Sequence, residues 1–226
     1  MRMSKQLILG AALAAIVSIP SSAGAVVISG TGSLGSFTGT FDYDNTTHAI
    51  DVLLTNTSNP LNGGFITGFV FNLPDGASVT GSTFSSSNAS FKLLGATTFD
   101  DNVNAQPFGD FDIGASLSAN NWEGSGNPTV GIGVTSFATF HFVLTGANSV
   151  LNSLTASDFL STLSNPRGKG NTPEDFVVRF RGFENGGSDK VPNGPGVPLP
   201  EPAPLAALGL GLISMSAVRR RARAGK

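Results

Sequence analysis

Ala138-Thr139-Phe140-His141-Phe142-Val143-Leu144 repeats with a period of two. Side chains of a β-strand point to opposite faces in turn, so Ala138, Phe140, Phe142 and Leu144 share an inward face. Thr139, His141 and Val143 then face outward. The stretch is the heart of a strand expected over 129–145, the longest in the chain. The same period recurs on both sides of it. Phe37, Gly39, Phe41 and Tyr43 fall on one face, and Asp44-Asn45 offers a turn into a strand over 49–55. Phe65, Thr67, Phe69, Phe71 and Leu73 form the next apolar face, closed by the turn signal Pro74-Asp75-Gly76. Residues 90–94 make a short candidate strand. Phe176, Val178 and Phe180 alternate with Val177, Arg179 and Arg181. About seven or eight strands separated by turn residues predict an all-β fold, a β-sandwich, rather than an α/β domain. One short helix is expected after the N-cap Thr155, with Asp158 in its first turn, Phe159, Leu160 and Leu163 as apolar positions, and Asn165-Pro166 as the stop.

Composition agrees with short strands and tight turns. The 226 residues include 29 Gly and 17 Phe, and only 12% are charged. The formal net charge of −2 hides a strong segregation. Residues 1–25 and 203–226 hold bases and no acid, while residues 26–202 hold six bases against fifteen acids, a net charge of −9. A central region that acidic repels phosphate backbones, so nucleic acid is excluded as a partner. The chain has no Cys, which rules out disulfides, thiolate metal sites and cysteine nucleophiles.

Both ends have the composition of targeting segments. Arg2 and Lys5 precede an apolar run over 7–17, followed by Pro20 and the small pair Ala23 and Ala25. These are the three parts of a secretory signal, with cleavage expected before Val26. The run is too short to span a bilayer, which takes about 20 residues. At the other end, 191–199 is a Pro/Gly linker unable to form a helix or a central strand. Pro200-Glu201-Pro202 follows, then the apolar segment 205–218, then Arg219, Arg220, Arg221 and Arg223. Arginines just past an apolar stretch hold that end in the cytoplasm and leave the preceding domain outside. The organisation expected is thus a signal helix over 1–25, an ectodomain over 26–190, a linker over 191–199 and a tail over 200–226 whose segment 205–218 is a transmembrane helix.

The tail resembles the PEP-CTERM sorting signal, also catalogued as an ice-binding protein C-terminal domain. The resemblance covers roughly the last 30 residues and rests on three parts in fixed order: Pro200-Glu201-Pro202, the apolar segment and the terminal Arg cluster. It implies recognition by an exosortase at the inner membrane, processing near the tripeptide, and association with extracellular polysaccharide in a Gram-negative bacterium. The ectodomain stretches 63–72, 121–123 and 180–190 are similar to domains that accompany such tails. They bring no assigned activity with them.

Candidate ligand sites are few. Gly30-Thr31-Gly32-Ser33-Leu34-Gly35 matches a dinucleotide-binding spacing, but a strand pattern follows where a helix is required, so the glycines are assigned to turns. His48 and His141 are the only histidines, and no nucleophile elbow accompanies them. Asp100, Asp101, Asp110 and Asp112 form the densest oxygen cluster, a candidate calcium site whose spacing does not fit an EF-hand loop and whose carboxylates would equally cap turns. Trp122, in a polar loop, would either stack on a sugar ring or fold back over the end of the sandwich. Arg179 and Arg181, two apart on one strand, share a face and would hold acidic sugars or pair with neighbouring acids. Thr38/Thr40 and Thr55/Thr57 are isolated pairs, not the regular array that ice binding would need. The sequence therefore reads as a non-enzymatic exported protein without a cofactor, contributing to an exopolysaccharide or biofilm matrix. The alternative is a carbohydrate-binding module or adhesin with a defined glycan site.

Overall fold

Alternating Phe and small polar residues do in three dimensions what their period demands: they close two antiparallel sheets over a core made largely of phenylalanine. The computed structural model describes residues 24–74, 77, 79–95, 101–119, 122, 126–166, 171–194 and 197–198. Its strands begin with β1 (Val26–Thr31), β2 (Ser36–Asp44), β3 (Ala49–Asn56), β4 (Gly63–Phe71) and β5 (Val79–Ser86). Next come β6 (Lys92–Leu94), β7 (Val103–Asn104), β8 (Asp110–Phe111), β9 (Ile113–Ser116), β10 (Ile132–Gly133) and β11 (Phe137–Gly146). The last three are β12 (Phe176–Phe183), β13 (Ser188–Pro192) and β14 (Val197–Pro198). One sheet has the order β14-β1-β2-β3-β11-β5; the other runs β13-β12-β4-β9-β6, with β10 also on β4. β7 and β8 pair with each other alone.

The inner faces are those that alternation requires. Phe37, Phe41 and Tyr43 of β2, with Ala138, Phe140, Phe142 and Leu144 of β11, are buried in one cluster with Phe69, Phe71, Phe176, Val178 and Phe180 of the facing sheet. Ring contacts cross between the sheets, with Phe69 and Phe140 centroids 4.7 Å apart and Phe41 and Phe71 at 5.2 Å. Gly39 sits in this face because β2 and β3 come close there: a Cβ would lie 1.9 Å from the Leu53 carbonyl oxygen.

Four features depart from the sequence reading. First, Phe65 and Thr67 do not share the inward face with Phe69. Arg179 pairs with Gly68 and Phe180 with Ile66, so Thr67 is a bulge, and Ile66 takes the place in the core expected for Phe65. Second, 129–145 is not one strand. A 3₁₀ turn at Pro128–Val130 leads into β10 on one sheet, and the chain then crosses to β11 on the other. Thr135 makes the crossing at φ 63°, with its N–H held by the Asn56 carbonyl. Asn56, fully buried, donates from Nδ2 to the carbonyls of Gly64 and Ile132 and so clamps the crossover. Third, there are two α-helical turns, α1 (Asn148–Leu151) and α2 (Ala156–Phe159), where one was expected. The Asp158 carboxylate accepts from the N–H and hydroxyl of Thr155, as the capping signal implied, but the helix stops at Phe159. Asn165 instead bridges to Asp110. Fourth, the sheets run past Lys190: Val191 is buried in β13, and Val197–Pro198 pairs with β1. Both prolines, Pro192 and Pro198, lie on edge strands, where a missing N–H is tolerated.

Tyr43 links β2 to α1. Its ring lies 4.8 Å from Phe159, and its hydroxyl donates to the Leu151 carbonyl at 3.1 Å. Burial, with the charge of Asp44 adding to it, pushes the phenol up to about 12. The free phenol titrates near 10, so the unfolded chain ionises first. The contribution of the neutral phenol is complete below pH ~10 and is lost as pH rises toward about 12. Wild type should therefore lose stability more steeply across that window than Tyr43→Phe. As the chain has one Tyr, tyrosinate absorbance reports this group directly.

Candidate functional site

The face of the second sheet turned away from the main core is itself covered. Val70 lies between the core residues Phe69 and Phe71, and Val177 between Phe176 and Val178, so both valines face away from the main core. They pair in register and are buried in a second cluster with Leu94, Val103, Ala105, Phe111 and Trp122. The β7/β8 hairpin and Trp122 thus form an outer layer, and β4 and β12 are buried on both faces.

This layer decides the fate of three sets of residues. Trp122 is 2% exposed, so it is the cover of the outer layer and offers no open ring for a sugar. Its indole Nε1 has no hydrogen-bond partner among the described residues. Arg179 is 6% exposed, flanked by Lys190 of β13 and Gly68 of β4. It shares a face of β12 with Arg181, as expected, but is itself buried there. Arg181 alone is partly exposed, and its guanidinium donates to the Gly126 carbonyl. Lys190 reaches over the same face to the Gln106 carbonyl.

The carboxylates of the calcium candidate are turned to structural use. Asp110, buried in β8, accepts from the Asn104 side chain at 2.9 Å. Asp112 accepts from the N–H groups of Leu73 and Asp101, each at 2.9 Å, and Asp101 accepts from Asn165 at 2.7 Å. Asp100 lies outside the described residues. Among those described, no three His, Asp or Glu side chains converge as a metal site.

The outer face of the first sheet is open and polar. Asp42, Asp51, His141 and Ser85 stand in one row across β2, β3, β11 and β5. His141 Nδ1 lies 2.7 Å from Asp51 Oδ1, with both side chains about half exposed or more. Partial burial, together with Asp51 opposite, raises the Asp42 carboxyl above the usual range against the hydrogen bond from the Tyr43 N–H. His48 sits in the β2–β3 turn at φ 57°, its Nε2 2.7 Å from the Asn152 side chain. Phe137, 68% exposed, also stands on this face, beside Thr55.

The Gly30–Gly35 motif is the β1–β2 hairpin turn, closed by the Gly32 N–H on the Gly35 carbonyl at 2.8 Å. Its inward-pointing amides already hold an anion. The N–H groups of Leu34 and Gly35 donate to Asp189 Oδ2 at 2.8 and 3.1 Å. Asp189 is 154 residues away from Gly35 in sequence, a separation that local pattern cannot bridge.

Residues 1–23, including Ala23, and Pro200, Glu201, Pro202, the segment 205–218 and Arg219, Arg220, Arg221 and Arg223 lie outside the described residues; Ala25 immediately precedes β1. Among the described residues no helix is long and apolar enough to cross a membrane. No family model matches the chain, no curated protein matches it, and no solved structure matches it.

Proposed function

We propose that the chain is an exported surface or extracellular protein, sorted by an exosortase and serving as a structural component of an exopolysaccharide or biofilm matrix. One observation carries this: Pro200-Glu201-Pro202, an apolar segment over 205–218 and an Arg cluster follow one another after the β domain. The apolar segment inserts in the inner membrane with the arginines inside, and the tripeptide is the part an enzyme reads. The inward placement of Trp122 and Arg179 supports a structural role over the rival glycan-binding module, since two of the three residues proposed to touch a ligand are built into the fold.

The test separates an address from a plain anchor. Replacing Pro200, Glu201 and Pro202 together by Ala should leave the thermal unfolding of the β domain unchanged, because the main core is built from residues 26–191. The apolar segment and arginines remain, so the variant should collect uncleaved at the inner membrane. A plain anchor needs only hydrophobicity and flanking charge and is indifferent to the tripeptide. Fractionation of wild type and variant in the native host, with and without its exosortase, distinguishes them. Surface or medium delivery of the variant at wild-type size and yield would defeat the proposal.

A further inference from the structure

A sheet edge exposes a row of backbone N–H and C=O groups, and proteins protect such rows with charges, prolines, bulges or very short strands. Among the described residues, three of the four outer strands of the two large sheets are protected. β13 carries Asp189, Lys190 and Pro192; β6 has three residues and begins with Lys92; β14 has two residues and ends in Pro198. β5 is different. It is eight residues long, Val79-Thr80-Gly81-Ser82-Thr83-Phe84-Ser85-Ser86, with no charge and no proline. Among the described residues it pairs with β11 alone. A bulge at Thr80, where the pairing shifts between Thr145 and Gly146, leaves Gly81–Ser86 as a regular edge.

The register tells which groups are free to pair. Ser87 donates its N–H to the Thr139 carbonyl, so the hydrogen-bonded positions continue at Ser85, Thr83 and Gly81. Ser82, Phe84 and Ser86 therefore turn their N–H and C=O away from the sheet. Their side chains lie toward the core, and Phe84 remains half-buried at the sandwich margin, 5.1 Å from Phe142.

We propose that β5 is the self-association edge of this protein: two copies pair their β5 strands antiparallel about a two-fold axis through Phe84. In that register Ser82 faces Ser86 of the second copy and Phe84 faces Phe84, giving about six backbone hydrogen bonds across the axis. The two half-buried rings meet and cover each other's exposed edge. Charge favours the same geometry. Residues 26–202 carry a net charge of −9, which repels copies elsewhere, and β5 is a neutral strip through which they can approach. Because the contact is isologous and the other edges are protected, assembly stops at the dimer. The inference is independent of how the protein is sorted.

The full-length chain in detergent should sediment as a dimer, and Thr83→Lys should make it monomeric. Thr83 points away from the core, so the substitution spares the packing, and Thr145→Lys, on the same face of the adjoining strand, should leave the dimer intact. The chain has no native Cys, which allows a second measurement. Thr83 and Ser85 of opposite copies form close, non-hydrogen-bonded pairs with Cα atoms about 4.5 Å apart, within disulfide range. Thr83→Cys with Ser85→Cys should therefore cross-link copies on oxidation, whereas the two positions within one strand lie too far apart to bridge. A monomeric wild type, a dimer that survives Thr83→Lys, or cross-linking only to other proteins would each overturn the proposal.

Discussion

Phe140→Asp should leave the β domain largely unfolded under conditions where His141→Ala is nearly silent. Phe140 is 1% exposed and packs its ring against Phe69 at 4.7 Å and Phe91 at 5.0 Å, so it joins the two sheets. Truncating a buried ring costs about 3–5 kcal/mol, and a carboxylate in its place adds desolvation. The sum exceeds ~4 kcal/mol, a large share of a domain stability of about 5–15 kcal/mol. His141 is one residue away and on the other face. It loses only an exposed pair with Asp51, worth under ~1 kcal/mol. Denaturant unfolding of the two variants beside wild type is the measurement. Equal losses would mean that the β11 register is displaced by one residue, which would exchange every inward side chain for an outward one.

Trp122→Ala should be the second most damaging single change, at about 3–5 kcal/mol. The indole closes a cluster with Val70, Leu94, Val103, Ala105, Phe111 and Val177, and without it the β7/β8 hairpin loses its cover over the second sheet. Trp122→Phe should recover much of the loss, because it keeps a ring in place and removes an N–H that has no acceptor among the described residues. The chain has a single Trp, so its fluorescence reports this site alone. Native emission should be blue-shifted and protected from quenchers, and should move red as the protein unfolds. A glycan-stacking platform would behave oppositely, with red, quenchable emission and Trp122→Ala weakening sugar binding at unchanged stability.

The faces of β2 and β11 could be read directly because each is a period-two strand facing one core. The same rule placed Phe176, Val178 and Phe180 correctly and put Arg179 on the opposite face, without telling that this face is covered. Alternation assigns a residue to a face and says nothing of what lies over that face. A clue was present: Val70 and Val177 are β-branched residues on the supposedly wet side, and the nearly continuous apolar run from Phe65 to Phe71 is what a strand buried on both faces looks like. The bulge at Thr67 had no such clue, since an inserted residue becomes visible only when its partner strand is known. Of the candidate sites, the turn role of Gly30–Gly35 was legible from the strand pattern that follows it. The carboxylates were legible only as a cluster; that Asp112 caps Leu73 and Asp101 depends on where those amides arrive.

By itself the sequence determined the all-β class, the inward residues of the one-sided strands and the segregation of charge to the two ends. All of these depend on local spacing and composition, and the chain carries that information within a few residues. Tertiary structure alone decided that the stretch before Phe137 changes sheets, that Asp189 fills the amides of a turn 154 residues before it, and that Arg179 and Trp122 are buried. It also left β5 as the one long neutral edge among the described residues. Each of these is a contact between segments distant in sequence. Such contacts are selected by the packing of the whole chain, and no local period encodes them.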